Sequence, residues 1–439
     1  MIAPTTQTST DFHAAFVTAL DHQPWSWLKS KRMAQYNRFE TLGFPTTKQE
    51  EWKYTNVAPV QEALFHLPVH AGAVTADAYR QVVPDDALVL VFVDGILSRD
   101  LSRIRGADTG VALHPLSAVI DAESDLARVA LDVWPGEEED CFASLNAALT
   151  EEGAYLWIGK GTVVTKEVHM VYLFTDQAEG IMAFPRNIMD IGANSEVKIV
   201  QSFIGADPHT KYFSNVLTHL RIGANARVQF TQIQTDSLQA YQLQNTHVVQ
   251  ERDSHLEAFT LTVGGRITRN TLTVRQSGPG AHTAINGLYA VRDRQLVDNH
   301  TVIDHRCEHG SSQQLYKGIL NGKGKTVFNG KIFVRSEGQQ TNAYQLNRNL
   351  LLSPKAEANT KPQLEIYADD VKCSHGASVG PLDANELFYL LSRGIPEERA
   401  ISMLSHGFVE DVLDTVRNES LRDRLRQTLS AYFLATEVV

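Results

Sequence analysis

The feature that most restricts the fold is a segment that occurs twice in the middle of the chain. Residues 191–201 read IGANSEVKIVQ and residues 222–232 read IGANARVQFTQ, so the two copies are 31 residues apart. Each copy ends one strand, turns at Gly-Ala-Asn and starts a new strand rich in β-branched residues. Strand–turn units that repeat every roughly 20–50 residues are typical of solenoids, in which each coil buries its apolar face against its neighbours.

The same β-rich character extends from about residue 154 to about residue 380. Short runs of Val, Ile, Phe and Thr alternate there with Gly, Asn and Asp, and helix-length periodic segments are nearly absent. A looser match pairs residues 278–289 with residues 322–332, since both contain Gly-x-Gly, an apolar residue and then Asn-Gly. Turns recur without clean hairpin pairs, which favours a β-helix and leaves a sandwich or jelly roll as the alternative.

The regions on either side of the β-rich stretch have a different pattern. Apolar residues at three- and four-residue spacings near the N-terminus predict helices. The sequence therefore predicts a helical and mixed N-terminal domain at 1–150, a β-helix core at 151–380 and a C-terminal helical domain at 381–439.

The C-terminal region carries signals for three helices. Asp383 precedes Glu386 by three residues, which resembles a capping box. Pro396 suits the first turn of a second helix, and Asn418 is placed to cap a third. These helices either pack on the rest of the protein or dock a partner through an apolar face, and the sequence leaves both open.

Composition excludes several classes of protein. A net charge of −11 over 439 residues argues against nucleic acid as the main partner. Three cysteines cannot form a disulfide framework and suit a reducing compartment. The first residues do not form a signal peptide, and no apolar run is long enough for a membrane span. We therefore expect a cytoplasmic protein.

A cysteine and a histidine end the β-rich region, in the stretch Lys361–Gly380. Residues two apart on a strand share a face, so Cys373 and His375 are expected side by side. A thiol beside an imidazole is either a metal-ligand pair or an activated nucleophile, and an inert pair is the alternative.

A denser group of ligand-type residues lies upstream at His305, Cys307 and His309. If a strand continued through them, all three would line one face with nitrogen and sulfur donors that suit a metal. Histidines also occur without function on β surfaces, so this group has a lower priority as a metal site. Phosphate-loop, Gly-x-Ser-x-Gly and His-Glu-x-x-His signatures are absent, and no catalytic residue is predicted.

Four segments in a fixed order carry a joint pattern. They are Pro45 and Lys48 followed by EWKYT at 51–55, YKG through FNG at 316–330, the stretch at 361–380, and LFY through RGI at 387–395. In this combination they resemble the SufB/SufD family, subunits of the SufBCD iron–sulfur cluster assembly complex. SufB-like members carry a cysteine shortly after the stretch that matches 339–342, and a glutamate beside the histidine that matches His375. This chain has no cysteine at 343–348 and has Gly376 beside that histidine, so it is more similar to the SufD-like branch.

The resemblance implies a mainly β fold, a right-handed parallel β-helix core flanked by helical regions at both ends. It implies a heterodimer with a SufB-like subunit and docking of a SufC-type ATPase on the C-terminal helices, with ATP hydrolysis belonging to that partner. It also implies a transient iron or iron–sulfur cluster at a subunit interface, with His375 as an iron ligand and Cys373 as a thiolate ligand or a structural thiol. A homodimer of the isolated chain, a purely structural interaction module and a β-helix carbohydrate-active enzyme stay as alternatives.

Overall fold

The computed structural model describes residues 11–21, 26–80, 82–104, 109–122, 131 and 139–434, and the fold within them is a parallel β-solenoid with helices at both ends. The helices are α1 Phe12–Asp21, α2 Ser26–Leu42, α3 Ala58–Glu62, α4 Asp77–Arg80, α5 Leu116–Asp121, α6 Cys141–Leu149, α7 Ala384–Ser392, α8 Glu397–Leu413 and α9 Glu419–Leu434. The strands are β1 Leu88–Val93, β2 Ile96–Arg103, β3 Val111–Pro115, β4 Ala154–Ile158, β5 Val168–Phe174, β6 Met182–Ala183, β7 Arg186–Ile191, β8 Glu196–Gly205, β9 Phe213–Ile222, β10 Arg227–Thr235, β11 Tyr241–Gln250, β12 His255–Thr262, β13 Ile267–Gln276, β14 His282–Val291, β15 Leu296–His305, β16 Ser311–Leu320, β17 Lys325–Val334, β18 Thr341–Leu351, β19 Glu357–Ile366 and β20 Val371–Pro381.

Two sheets face each other, and the chain alternates between them. One sheet has the order β2-β1-β5-β8-β10-β12-β14-β16-β18-β20, and the other has the order β19-β17-β15-β13-β11-β9-β7-β4-β3. Each strand of the coils pairs in parallel with the strand two further along the chain, as β10 does with β8 and β12. The predicted mainly β solenoid is confirmed.

The sequence repeat follows from this register. Ile191 pairs with Ile222, so the two copies of the repeated segment lie directly above one another. At the turn of each copy an asparagine takes a left-handed conformation, with φ of 57° at Asn194 and 59° at Asn225. Asparagine tolerates this region better than most residues. Asn225 Nδ2 also donates to Asn194 Oδ1 at 3.1 Å, which links one turn to the next.

The looser match between residues 278–289 and 322–332 is wrong as a structural repeat. Gly280 lies in the turn from β13 to β14, whereas Gly322 lies in the turn from β16 to β17. These turns lead in opposite directions between the two sheets, so the shared Gly-x-Gly reflects a common need for turn residues.

Side chains that point between the two sheets form the main core. Val197, Ile199, Val228 and Phe230 are buried there on adjacent strands. Three strands that contribute to the sheets, β1 to β3, come before residue 150, so strand pairing crosses the predicted boundary between 1–150 and 151–380.

The N-terminal helices pack on the outside of the solenoid through aromatic residues. The Phe16 and Tyr36 rings of α1 and α2 stack with centroids 4.1 Å apart. Helix α6 is capped by Asp140, whose carboxylate accepts from Phe142 N at 2.8 Å and Ala143 N at 3.1 Å. The Trp52 ring packs against Phe142 of this helix, with the ring centroids 5.5 Å apart, which places the 50–55 segment beside α6.

The C-terminal helices begin where the sequence predicts. The Asp383 carboxylate accepts from the backbone N–H groups of Asn385 and Glu386, α8 starts directly after Pro396, and Asn418 accepts from Leu421 N. Within the described residues, every helix is too short or too polar to cross a membrane.

Candidate metal centre at the open end of the solenoid

The last strand of one sheet carries the two residues on which the metal prediction rests. β20 lies at the end of its sheet and pairs along its length with β18. Cys373 is in register with Ala343, and His375 is in register with Gln345. The two side chains therefore share one face of the strand, next to each other, at the end of the solenoid.

The two side chains have different surroundings. Cys373 is half-buried and packs against the main core, and this burial raises the pKa of its thiol. The thiol is thus protonated near neutral pH and becomes a ligand when a cation displaces the proton. The His375 side chain lies on the face of β20 that continues the inner face of the solenoid. It is nevertheless exposed to solvent, because no further coil follows β20 within the described chain.

The upstream group His305, Cys307 and His309 does not line one strand face. β15 ends at His305, and the other two residues lie in the turn that follows. His309 takes the left-handed position of this turn, with φ of 61°, and its side chain is exposed. The expectation of three ligands on one face is wrong because the strand stops too early.

His305 itself is a core residue. It is fully buried at the inner face, and its Nε2 lies 2.9 Å from Ser312 Oγ. Burial lowers the pKa of His305 to about 4, so the ring is neutral at pH 7. Among the described residues, no three or more His, Cys, Asp or Glu side chains are grouped so that they could hold a metal ion. Cys373 and His375 therefore supply two donors, fewer than the four that an iron in a cluster needs.

Sequence reasoning missed a second site, which we call the outer-face charge cluster. It comprises Glu51, Arg269, Asp298 and His300, where the 50–55 segment meets β13 and β15. Arg269 Nη1 donates to Asp298 Oδ2 at 2.6 Å and to the Glu51 backbone oxygen at 2.8 Å. The Arg269 guanidinium also lies over the Trp52 ring, 3.8 Å from its centroid.

The charges of this cluster stabilise one another. His300 Nδ1 lies 3.3 Å from Glu51 Oε2, and the hydrogen bond from His300 is the main reason that the pKa of Glu51 is lowered to about 2. Burial alone would raise the pKa of Asp298, but Arg269 and His300 hold it well below its usual range. Arg269, Asp298 and His300 are buried and Glu51 is partly exposed, so this cluster links the 50–55 segment to strands β13 and β15.

The contacts of Glu50 and Glu51 bring together three of the four segments of the sequence pattern. Asn329 Nδ2, from the FNG stretch, donates to Glu51 Oε2 at 3.1 Å. Lys361, at the start of the Cys-His stretch, pairs with Glu50. The joint occurrence of these segments in the sequence is the feature from which this site could have been predicted.

Lys317, from the YKG stretch, joins the C-terminal helices to the solenoid. Its Nζ donates to the Phe408 backbone oxygen at 2.7 Å and to Asp411 Oδ2 at 2.8 Å, and the lysine itself is buried. Val409, Val412 and other apolar residues of α8 and α9 pack on the outer face of the same sheet. These two helices are therefore packing elements, whereas α7 leaves Phe388 71% and Tyr389 57% exposed.

Comparison with known proteins gives a consistent result along the chain. Residues 173–408 match the family model described as "SUF system FeS cluster assembly, SufBD core domain", and residues 4–170 match "SufBD protein N-terminal region".

Three similar proteins cover most of their own length and most of this chain. An iron–sulfur cluster assembly SufBD family protein of Synechocystis sp. is 31% identical over 92% of this chain and 91% of its own length. The iron–sulfur cluster assembly protein SufD of Escherichia coli is 28% identical over 87% of this chain and 88% of its own length. The SufD protein of Bacillus subtilis is 27% identical over 92% of this chain and 93% of its own length.

Proposed function

Because this chain belongs to the SufBD family and so has a role in iron–sulfur cluster assembly, we propose that it is a non-enzymatic, SufD-type scaffold subunit. In this role it presents His375 and Cys373 at one edge of a shared assembly site. The single observation that carries the proposal is the position of this pair on the last strand, beside the open end of the solenoid. Iron and the nascent cluster are the cargo of this site.

The remaining ligands come from a SufB-like partner. Two donors on one strand cannot complete the coordination of an iron, so the isolated chain holds iron weakly. The open end also offers what a partner subunit needs, because β19 and β20 are the last strands of their sheets. Unpaired strand edges accept further strands, and exposed apolar residues nearby, Ile366, Tyr367 and Val379, add contact area.

The C-terminal region docks a SufC-type ATPase through α7. Phe388 and Tyr389 are large aromatic side chains on a helix and are mostly exposed, which is typical of anchors at an interface. Changing both to serine is expected to abolish ATPase binding in a pull-down with purified subunits. Met403→Ser is the matched control, because Met403 is an exposed apolar residue on α8. Equal binding by both variants and the wild type would exclude α7 as the docking element.

The cluster site is tested with His375→Ala in the complex with the SufB-like subunit and the ATPase. We expect cluster formation from iron and sulfide under anaerobic conditions to be lost, while the subunits still co-elute from a sizing column. The control is His309→Ala, which removes an exposed histidine from a turn. Assembly at the wild-type rate by the His375→Ala complex would refute the site.

A further inference from the structure

A row of polar side chains runs along the inner face of one sheet and ends at His375. Gln314 on β16, Gln345 on β18 and His375 on β20 occupy paired positions on three adjacent strands. Earlier positions of the same row, such as Ile285 on β14, are apolar. The row thus changes from apolar to polar over the last coils.

The two amides of this row are oriented in the same sense. Gln314 Nε2 donates to Thr301 Oγ1 at 2.5 Å, and Gln345 Nε2 donates to Gln314 Oε1 at 2.6 Å. Each amide nitrogen therefore donates its hydrogen bond to a residue earlier in the chain. The oxygen of the last amide, Gln345 Oε1, is buried and has no hydrogen-bond partner within the described residues.

Gln345 is confined to this position. It is 0% exposed, and a Cβ placed on Gly330 of the facing sheet would lie only 2.1 Å from Gln345 Nε2. The glycine therefore leaves the space that the amide occupies. The orphaned oxygen is a consequence of this packing, since the nitrogen is already held by Gln314.

An acceptor buried without a donor costs about 1–3 kcal/mol, and such groups in native proteins call for an explanation. The next position of the row is His375, on a strand that lies roughly 4.8 Å away. The imidazole N–H of His375 is the donor that this row offers to Gln345 Oε1. One ring nitrogen is then used as the donor, and the lone pair of the other stays free.

We propose that Gln345 is a positioning residue for His375: its side-chain oxygen accepts the imidazole N–H, fixes the tautomer and aims the other ring nitrogen at the incoming iron. This inference rests on the proposed role of His375 as an iron ligand. Histidines that bind metals generally donate their second N–H to an oxygen acceptor, and removing that acceptor typically weakens metal binding 10–100-fold.

The tautomer is measured first, on the full chain without metal or partner. Histidine is labelled with ¹⁵N, and the ring nitrogens are observed by NMR at a pH of about 8.5, where an ordinary imidazole is neutral. The His375 signals are identified by their loss in His375→Ala. We expect a single dominant tautomer in the wild type and a mixture of both in Gln345→Met. A mixture in the wild type would overturn the proposal without any variant.

The matched control is Gln232→Met. Gln232 is also a buried glutamine whose Nε2 donates to another glutamine, Gln201 Oε1, at 3.1 Å, but it lies several coils away from His375. It should lower stability to a similar extent and leave the His375 tautomer unchanged. If both variants change the tautomer equally, general loosening of the interior is the cause and the proposal fails.

The second measurement is cluster assembly by the whole complex. Gln345→Met is expected to slow assembly by about 10–100-fold, whereas Gln232→Met is expected to retain the wild-type rate. A wild-type rate in Gln345→Met overturns the positioning role even where His375→Ala abolishes assembly. Conversely, normal assembly in His375→Ala refutes the proposed function itself, and the tautomer experiment still reports whether Gln345 holds the ring.

Discussion

The outer-face charge cluster and the Cys373–His375 pair differ in how their polar side chains are paired within the chain. In the cluster, Asp298 Oδ2 receives hydrogen bonds from both Arg269 and Thr55, and Asp298 Oδ1 lies 2.9 Å from His300 Nε2. At the open end, by contrast, His375 is exposed and its register neighbour Gln345 keeps an orphaned oxygen. The difference separates groups that hold the fold together from groups that are available to a partner or a metal.

The comparison also shows that charge and burial alone do not mark a functional site. The cluster has the strongly lowered pKa values that often accompany catalysis. Yet its members are engaged with one another and join the 50–55 segment to two strands of the solenoid. The pair at the open end supplies only two donors, which is what the proposed shared site requires.

The largest expected effect comes from breaking the charge cluster with Arg269→Met. The Asp298 side chain is 1% exposed, so its carboxylate would stay buried without its main counter-charge. Removing one partner of such a pair typically costs about 3–5 kcal/mol. The free energy of unfolding, measured by chemical denaturation at pH 7, should fall by this amount.

The control for this variant is Arg252→Met, which removes an exposed arginine paired with Asp253. Exposed pairs contribute at most about 1 kcal/mol, so a small change is expected. Similar losses in the two variants would show that the cluster does not stabilise the fold.

A second, smaller effect is the pH dependence of stability. Glu51 and Asp298 both have pKa values below those of the unfolded chain, near 4. Their contribution is therefore fully present above the unfolded-state pKa and is lost as the pH falls toward about 2. The denaturation midpoint should decline between pH 5 and pH 3 more steeply in the wild type than in Arg269→Met, whose Asp298 titrates closer to normal. Parallel curves for the two proteins would contradict this assignment.

A third effect concerns the attachment of the C-terminal helices. Lys317→Met removes the charge-assisted hydrogen bonds from Nζ to the Phe408 carbonyl oxygen and to Asp411, which should cost about 1.5–3 kcal/mol. Hydrogen exchange in α8 should accelerate, while exchange in strands β7 and β9 of the other sheet should not. Lys323→Met, at an exposed turn position, serves as the control. Unchanged exchange in α8 would mean that apolar packing alone holds the helix.

Much of the fold was predictable because it depends on local patterns. The 31-residue repeat gave the solenoid, since stacked coils place equivalent residues in register, as Ile191 and Ile222 show. The helix starts at Asp383 and after Pro396 were predictable because capping depends on a few neighbouring residues. The placement of Cys373 and His375 on one strand face followed from the period of a strand.

Other features depend on contacts between distant residues and could not be derived from spacing. The prediction that His305, Cys307 and His309 line one strand face was wrong because the strand ends at His305 and the following turn is held by the next coil, where His309 N donates to the Gln339 backbone oxygen at 2.9 Å. Glu51 and His300 are far apart in the sequence, and only the joint pattern of the four segments indicated that the regions around them are in contact. Likewise, the orphaned oxygen of Gln345 becomes visible only when the interior packing is known.

The smallest expected effect on stability belongs to the residue with the largest expected effect on function. His375 is exposed on the last strand, so water can reach Gln345 Oε1 once His375→Ala removes the proposed donor, and the free energy of unfolding should change by no more than about 0.5 kcal/mol. Cys373→Ala should cost slightly more, about 1 kcal/mol, because its thiol packs partly against the core. Denaturation of the isolated chain measures both. A loss above about 1.5 kcal/mol in His375→Ala would show that His375, like the outer-face charge cluster, stabilises the fold. Normal stability together with lost iron–sulfur cluster assembly would support the proposed difference between the two regions.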